Sequence, residues 1–405
     1  MNIRVAIAFD NFGPYHVARL TGAAQHADVL AVETASSTAE YAWNAPRMPS
    51  ELRHVALFNS ASAVERSHFP AAIEHAIGPF APDAVAVPGW SSATSLEITR
   101  WAVKRKIPVI AMSETNAWDF RRNSAIEFLK RRIAAHFSAG LCTSDSQAAY
   151  LQSLGLSPGA VFRGYNAVDN DYFAREGARA RDGEMPDGGA GPIPPGARGR
   201  YFLASCRFIP KKNLALLLDA YARFRHDRAD DRADWPLVLL GDGELRPALD
   251  AQRAALRLTS HVHMPGFRQY DALPRYYGTA GCFVHASLVE QWGLVVNEAM
   301  ASGLPIIVSD RCGCAPTLVK EGVNGHRFPA TDPGALADAM RSIAALPNDT
   351  AMRAASSAII ADWGPDRFGR GMADALAYVA DAPRPHPSRI DAATLTVTSA
   401  RMSLR

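Results

Sequence analysis

Glu290 and Glu298 stand eight positions apart in the run His285-Ala-Ser-Leu-Val-Glu290-Gln-Trp-Gly293-Leu-Val-Val-Asn-Glu298-Ala-Met-Ala-Ser-Gly303-Leu-Pro305. An apolar strand ends near His285, a loop carries Glu290 and Gly293, and Leu294 to Ala301 reads as a helix stopped by Gly303 and Pro305. The free N–H groups and positive dipole end of such a helix, at Gly293, Leu294 and Val295, suit a diphosphate. Gly293 lets the backbone come close to a bulky anion. Two carboxylates repel that anion on contact, so they serve better as acceptors for hydroxyls. Glu298, one turn into the helix, suits a ribose, and Glu290, in the loop, a transferred sugar. The plainer alternative makes Glu290 a helix cap and Glu298 a solvated helix residue.

Ser205-Cys206-Arg207-Phe208-Ile209-Pro210-Lys211-Lys212-Asn213 leads from a strand end into the apolar helix Leu214 to Phe224. Arg207 and Lys212 are two cations placed to neutralise a departing diphosphate as the sugar bond breaks. A basic surface loop is the competing reading. Leu239-Leu240-Gly241-Asp242-Gly243-Glu244 is a strand running into a glycine turn. Met264-Pro265-Gly266-Phe267-Arg268 is another strand exit, where backbone groups of Phe267 and Arg268 would read a base edge.

These loops need a frame. Continuous Val/Ile/Leu/Ala runs mark buried parallel strands near 3–9, 28–33, 53–58, 83–88, 107–112, 138–143 and 160–164. A second series lies near 201–206, 236–241, 261–264, 281–285, 304–308 and 325–329. Alternation with helices implies two α/β, Rossmann-like, doubly wound domains, whose ligands meet the C-terminal edges of the strands. The expected plan is a first domain over 1–180, a Pro/Gly-rich linker over 181–200 and a second domain over 201–365. A helix over 366–382 would cross back to the first domain, and 383–405 would be a frayed polar tail.

The length of 405 residues fits two domains. Hydrophobic residues at 48% and charged residues at 20% are those of a folded soluble protein. A net charge of +3 with scattered basic residues gives no argument for nucleic acid. Five irregularly spaced cysteines point to a reducing compartment, and Cys312-Gly-Cys314 has no second half to make a metal site. No leader is expected before the first strand, and no apolar run is long enough to span a membrane. These features favour the cytoplasm. Arg121, Arg122, Lys130, Arg131 and Arg132 surround Ile126, Phe128, Leu129 and Ile133. They form either a basic amphipathic helix for peripheral contact with an anionic membrane or a solvated face over a core stripe.

As a set, Glu290-x7-Glu298 with Ala-Met-Ala-x-Gly-x-Pro, Arg207-x4-Lys212-Asn213, Gly241-Asp-Gly243 and Pro265-Gly-Phe267 resembles glycosyltransferase family 4. The likeness covers roughly residues 200–345 and continues through Asn324-Gly325 and Asp332-Pro333. It implies a GT-B fold, two such domains facing across a cleft, and a nucleotide-sugar donor in the second. It also implies transfer with retained anomeric configuration, with no metal needed and no cofactor beyond the donor co-substrate. UDP is favoured over GDP only because UDP-sugars are common. The likeness assigns Arg207 and Lys212 to the diphosphate, Glu298 to the ribose, Glu290 to the sugar and the backbone near Phe267 and Arg268 to the base. Where relatives often carry Gly-Gly-x-x-Glu, this chain has Cys312-Gly-Cys314-Ala-Pro-Thr317, a departure at the donor site.

In the first half, the loop Phe9-Asp-Asn-Phe-Gly13-Pro-Tyr-His16 corresponds to one that lies in relatives under the donor phosphates and beside the acceptor. Gly13 fits that pattern and Pro14 departs from it. His16 and Glu114 are the candidates for a hydroxyl acceptor: a glycan, a lipid-linked sugar or a small molecule in polysaccharide or glycoconjugate biosynthesis. The expected mechanism is front-face displacement with the leaving phosphate oxygen as base. A nucleotide-sugar epimerase, a phosphorylase or a non-catalytic nucleotide-binding protein of the same fold are the alternatives. A dinucleotide oxidoreductase lacks its G-x-G-x-x-G after the first strand.

Overall fold

The computed structural model describes residues 3–35, 44, 46–60, 64, 68–119, 121–184, 196–226 and 235–402. They form two units, Met1–Val168 with Pro365–Arg405, and Asp169–Gly364.

The first unit runs β1 (Arg4–Phe9), α1 (Pro14–Ala24), β2 (Asp28–Ala35), β3 (Arg53–Phe58), α2 (Phe69–Ile77), β4 (Ala84–Val87), α3 (Ala93–Lys104) and β5 (Val109–Met112). It continues through α4 (Ser124–Ala134), β6 (Ala139–Cys142), α5 (Asp145–Ser153) and β7 (Val161–Arg163). Its seven strands are ordered β3-β2-β1-β4-β5-β6-β7. All pair in parallel. The order reverses between β1 and β4, which opens a crevice at the strands' C-terminal ends.

The second unit begins with α6 (Asn170–Arg181). It then runs β8 (Phe202–Ser205), α7 (Leu214–His226), β9 (Leu237–Leu240), α8 (Arg246–Ala255), β10 (Val262–Gly266), α9 (Leu273–Thr279), β11 (Cys282–His285) and α10 (Leu294–Ala301). It closes with β12 (Ile306–Ser309), α11 (Ala315–Leu318), β13 (Gly325–Phe328), α12 (Pro333–Ala344) and α13 (Thr350–Ile360). The strand order is β10-β9-β8-β11-β12-β13, again parallel, with its reversal between β8 and β11. Phe202, Leu237, Val284 and Ile307 on the strands meet Leu217, Tyr221, Leu336 and Met340 on the helices in one core.

The chain then returns to the first unit as α14 (Pro365–Asp381) and α15 (Arg389–Met402). Phe368, Met372, Leu376 and Val379 of α14 are buried with Leu20 and Ala23 of α1.

The thirteen expected strands are all present. Two boundaries differ. Residues 169–180, expected in the first domain, belong to the second unit. Phe173 of α6 is fully buried there, its ring centroid 5.8 Å from that of Tyr277 and 5.3 Å from that of Tyr270. Of the expected linker, residues 185–195 lie outside the described residues. The expected frayed tail is corrected as well. Residues 389–402 are helical, with Leu395 and Ser399 buried. Asp391 of α15 accepts from Arg132 of α4 at 3.2 Å, and Ser399 donates to Glu97 of α3. Among the described residues, no helix is long and apolar enough to cross a membrane.

Candidate functional site

The loops after β8 and β11 leave neighbouring strands at the reversal point of the second sheet. Their backbones are stitched together. Leu288 N–H donates to Lys211 O at 2.8 Å, and the Asn213 amide donates to Ala286 O at 3.1 Å and Ala330 O at 2.9 Å. Asn213 itself sits in the left-handed region, φ 57°, and so turns the chain into α7. Lys212 is thereby placed against the loop that carries Glu290.

Lys212 Nζ and Glu290 Oε2 form an ion pair, with side chains only 12% and 13% exposed. Nε2 of His285, at the end of β11, lies 3.3 Å from the same carboxylate oxygen, and Ser287 Oγ donates to it at 3.3 Å. An ionised carboxylate only accepts, so His285 carries its proton on Nε2. Burial would raise the Glu290 pKa. The hydrogen bond from His285 and the Lys212 charge outweigh it and hold the carboxyl well below the usual carboxylate range. Burial works against the Lys212 charge too, but the Glu290 carboxylate raises its pKa above the ordinary lysine value. Burial pushes the His285 pKa down, which keeps the ring neutral. The result is a desolvated cation and anion in fixed relative positions. Lys211, 4.0 Å from Glu290 Oε1, adds a second positive charge at the rim. Lys212 is therefore no surface-loop lysine.

Gly293 takes φ 105° and ψ 63°, which a side chain rarely tolerates, and so sets the N-terminus of α10 with no side-chain acceptor over it. Leu294 and Val295, half-buried, form the first turn, which contains no acidic residue. Glu290 does not cap this helix. Glu298 is not solvated either: it is fully buried and its Oε2 accepts from the Tyr277 hydroxyl at 2.6 Å. The Cys312–Cys314 turn supports the Glu290 loop from below. Gly313 N–H donates to Glu290 O at 2.9 Å and Cys314 N–H to Trp292 O at 3.1 Å. Burial raises the thiol pKa of both cysteines, so they pack as small apolar groups. Among the described residues, no group of three or more His, Cys, Asp or Glu side chains is disposed to hold a metal.

The other assigned residues of the second unit follow the ends of β8, β9 and β10. Arg207 is exposed just past β8. Gly241 packs against that same loop: at φ 126°, a Cβ there would stand 1.8 Å from Cys206 O. Its placement is explained by this close approach. Phe267 and Arg268 follow β10, where the Arg268 guanidinium donates to Tyr276 Oη at 3.2 Å and to Phe267 O at 3.0 Å.

In the first unit, Gly13 is the N-cap of α1, and its N–H donates to Nδ1 of His16 at 3.0 Å. The His16 ring packs on Phe9, centroids 4.3 Å apart. Burial, aided by the Arg19 charge, pushes its pKa down to about 3. His16 is thus neutral, with Nδ1 occupied as an acceptor and Nε2 the donor. Glu114, partly exposed past β5, has its carbonyl engaged by Gln147 Nε2 at 3.0 Å.

His285, Ser287 and Tyr277 were not singled out from the sequence. His285 sits at the last position of a strand beside the Glu290 loop, which is the only signal that marked it. Tyr277 reaches Glu298 from another element, and no spacing announces that.

Residues 194–359 match the family model of glycosyl transferases group 1. The second unit is a glycosyltransferase group 1 domain. Its resemblance to family 4 is borne out at that level. Similar proteins include the alpha-monoglucosyldiacylglycerol synthase of Acholeplasma laidlawii, 30% identical over 135 residues, 33% of each chain. Another is the GDP-mannose-dependent alpha-(1-6)-phosphatidylinositol monomannoside mannosyltransferase of Mycolicibacterium smegmatis, 30% identical over 192 residues, 45% of this chain and 47% of that one. The matched segments span between a third and a half of these relatives' lengths. The crystal structure of Anabaena HepE in complex with UDP superposes with a TM-score of 0.69 at 16% identity, over 93% of this chain and all of that one. Sucrose-phosphate synthase from Thermosynechococcus elongatus gives 0.70 at 17% identity, over 94% and 100%. Likeness of that extent, around a group 1 domain, establishes the two-domain GT-B fold for the whole chain.

Proposed function

We propose that this chain is a retaining glycosyltransferase that moves a sugar from a nucleoside diphosphate to a hydroxyl acceptor. The observation that carries the proposal is the buried Lys212–Glu290 pair at the strand-order reversal of the group 1 domain, next to the glycine-capped start of α10. Arg207, Lys212 and the N–H groups of Gly293, Leu294 and Val295 are assigned to the diphosphate, whose charge grows as the glycosidic bond breaks. These cations and the helix end supply the electrostatic role a divalent metal would otherwise play, so the reaction is proposed to run without one. Glu298 is assigned to the ribose, its carboxylate oriented by Tyr277, and Glu290 to the sugar hydroxyls, oriented by His285 and Ser287. The backbone at Phe267 and Arg268 would meet the base, with Gly13 and Gly241 allowing close approach of backbone to donor.

The departing phosphate oxygen takes the acceptor proton as the acceptor attacks from the same face, so no side-chain nucleophile is required. In the first unit, His16 Nε2–H and Glu114 are the proposed acceptor contacts. The relative from Mycolicibacterium is named for GDP-mannose and the Anabaena structure holds UDP. A nucleoside diphosphate is common to both, and a UDP-sugar is the first donor to test. The cytoplasm, where nucleotide sugars are made, is the proposed location.

The test is release of UDP or GDP from a panel of nucleotide sugars in EDTA, with and without acceptor, and the anomeric configuration of the product by NMR. Acceptor-dependent release with retained configuration supports the proposal. Donor interconversion without acceptor would replace it with an epimerase, and inverted product would remove the front-face mechanism.

A further inference from the structure

Eight large apolar side chains are exposed among the described residues, and six of them fall in one region of the first unit. Trp118, Ile126, Phe128 and Leu129 lie on or just before α4, and Ile390 and Val397 on α15. Scattered exposed apolar residues are ordinary, whereas a concentration of them marks a surface that meets something apolar. The core-stripe reading of α4 therefore fails for Ile126, Phe128 and Leu129, which are 51%, 50% and 43% exposed. Its inner face is supplied by Ile133 and Ala134. On α15, Ile390 and Val397 are seven residues apart on one face, opposite buried Asp391, Leu395 and Ser399.

The charges on these two helices are as one-sided as the apolar groups. Each helix has a single acidic residue, Glu127 and Asp391, and each is engaged inside the unit. Glu127 binds Arg122, Lys130 and Tyr150. Asp391 binds Arg132 and Ser388. Arg121 and Arg131 stay exposed beside the apolar side chains of α4, as do Arg389 and Arg401 on α15. The two helices pack on each other through the Arg132–Asp391 pair.

We propose that α4, with α15 beside it, docks the protein on a membrane surface containing anionic lipids. Its apolar side chains would enter the head-group and acyl boundary and its arginines would meet lipid phosphates. A twofold contact with a second copy fits less well, because it sets Arg121 and Arg131 against their own kind with no outward acid to pair them. The inference does not rest on the donor reading, since binding is read without substrate.

The experiment is co-sedimentation of the full chain with phosphatidylcholine vesicles and with vesicles of equal parts phosphatidylcholine and phosphatidylglycerol. The protein is expected to bind the anionic vesicles and to be released by salt. The double variant Phe128→Ser/Leu129→Ser should weaken that binding by about tenfold or more. Arg121→Gln and Arg131→Gln should each weaken it about fivefold. Circular dichroism melts matching the parent show that these surface variants fold. Absence of sedimentation, equal binding to neutral vesicles, or binding untouched in all variants would overturn the proposal. Self-association without lipid that the same variants abolish would overturn it in favour of a second copy.

Discussion

Glu290 and Lys212 hold each other in a desolvated setting, and that dictates how substitutions behave. Lys212→Met leaves a buried carboxylate without its principal counter-charge, a loss of about 3–5 kcal/mol. The double change Lys212→Met/Glu290→Gln removes the stranded charge and is expected to recover much of that stability in a denaturant melt. Transfer activity should stay about 100- to 1,000-fold down in both, because the cation assigned to the leaving group is missing in each. Stability and activity recovering together would argue that the pair is only a structural bridge. His16 gives a pH prediction. Its pKa is about 3 in the folded chain against 6.5 when unperturbed. Its contribution to stability is therefore complete above pH 6.5 and is lost as pH falls towards 3, because only the unfolded chain takes up the proton in that window. The stability advantage of the parent over His16→Gln should narrow by at most about 1.4 kcal/mol for each pH unit below 6.5. A gap that widens on acidification would mean that the ring is protonated in the fold.

The elements explain what was legible and what was not. Buried parallel strands such as Ile306–Ser309 announce themselves as continuous apolar runs, because helices cover both faces of the sheet. The residues around Glu290 were legible for a related reason: strand end, glycine and helix start follow one another in sequence. Contacts between distant segments were not. Tyr277 under Glu298 depends on how α9 is brought to α10, which spacing along the chain does not encode, whereas His285, five residues before Glu290, was near in sequence but its ring's direction was not legible. The helix α15 was missed because its attachment is polar, through Asp391, Ser399 and Arg132, with Leu395 as its main buried apolar residue. The ending at 382 implied by the frayed-tail reading should therefore lower the melting temperature of the first unit by roughly 3–10 °C, from Leu395 burial and the lost polar contacts. An unchanged melt would return those residues to a tail. Gly241→Ala should destabilise by at least about 2 kcal/mol, since its Cβ would meet the Cys206 carbonyl in a left-handed backbone. Chemical denaturation measures that loss.

At the scale of the molecule, two separately cored α/β units share one chain, with the C-terminal helices returning to the first. Apart from Gly13, the residues assigned to the donor lie in the second unit, so nucleotide binding should act on that unit's stability. The most direct measurement is thermal unfolding of the full chain with UDP, and with GDP alongside, for the parent, Arg207→Ala and Glu298→Ala. At about 100 times its dissociation constant, a bound nucleoside diphosphate adds roughly 2.7 kcal/mol. For domains of this size that is a rise of roughly 5–10 °C. This rise is expected with one of the two nucleotides, and its loss in both variants. A parent that melts at the same temperature with and without either nucleotide, or variants that keep the full rise, would contradict the placement of the donor at Lys212, Glu290 and the start of α10.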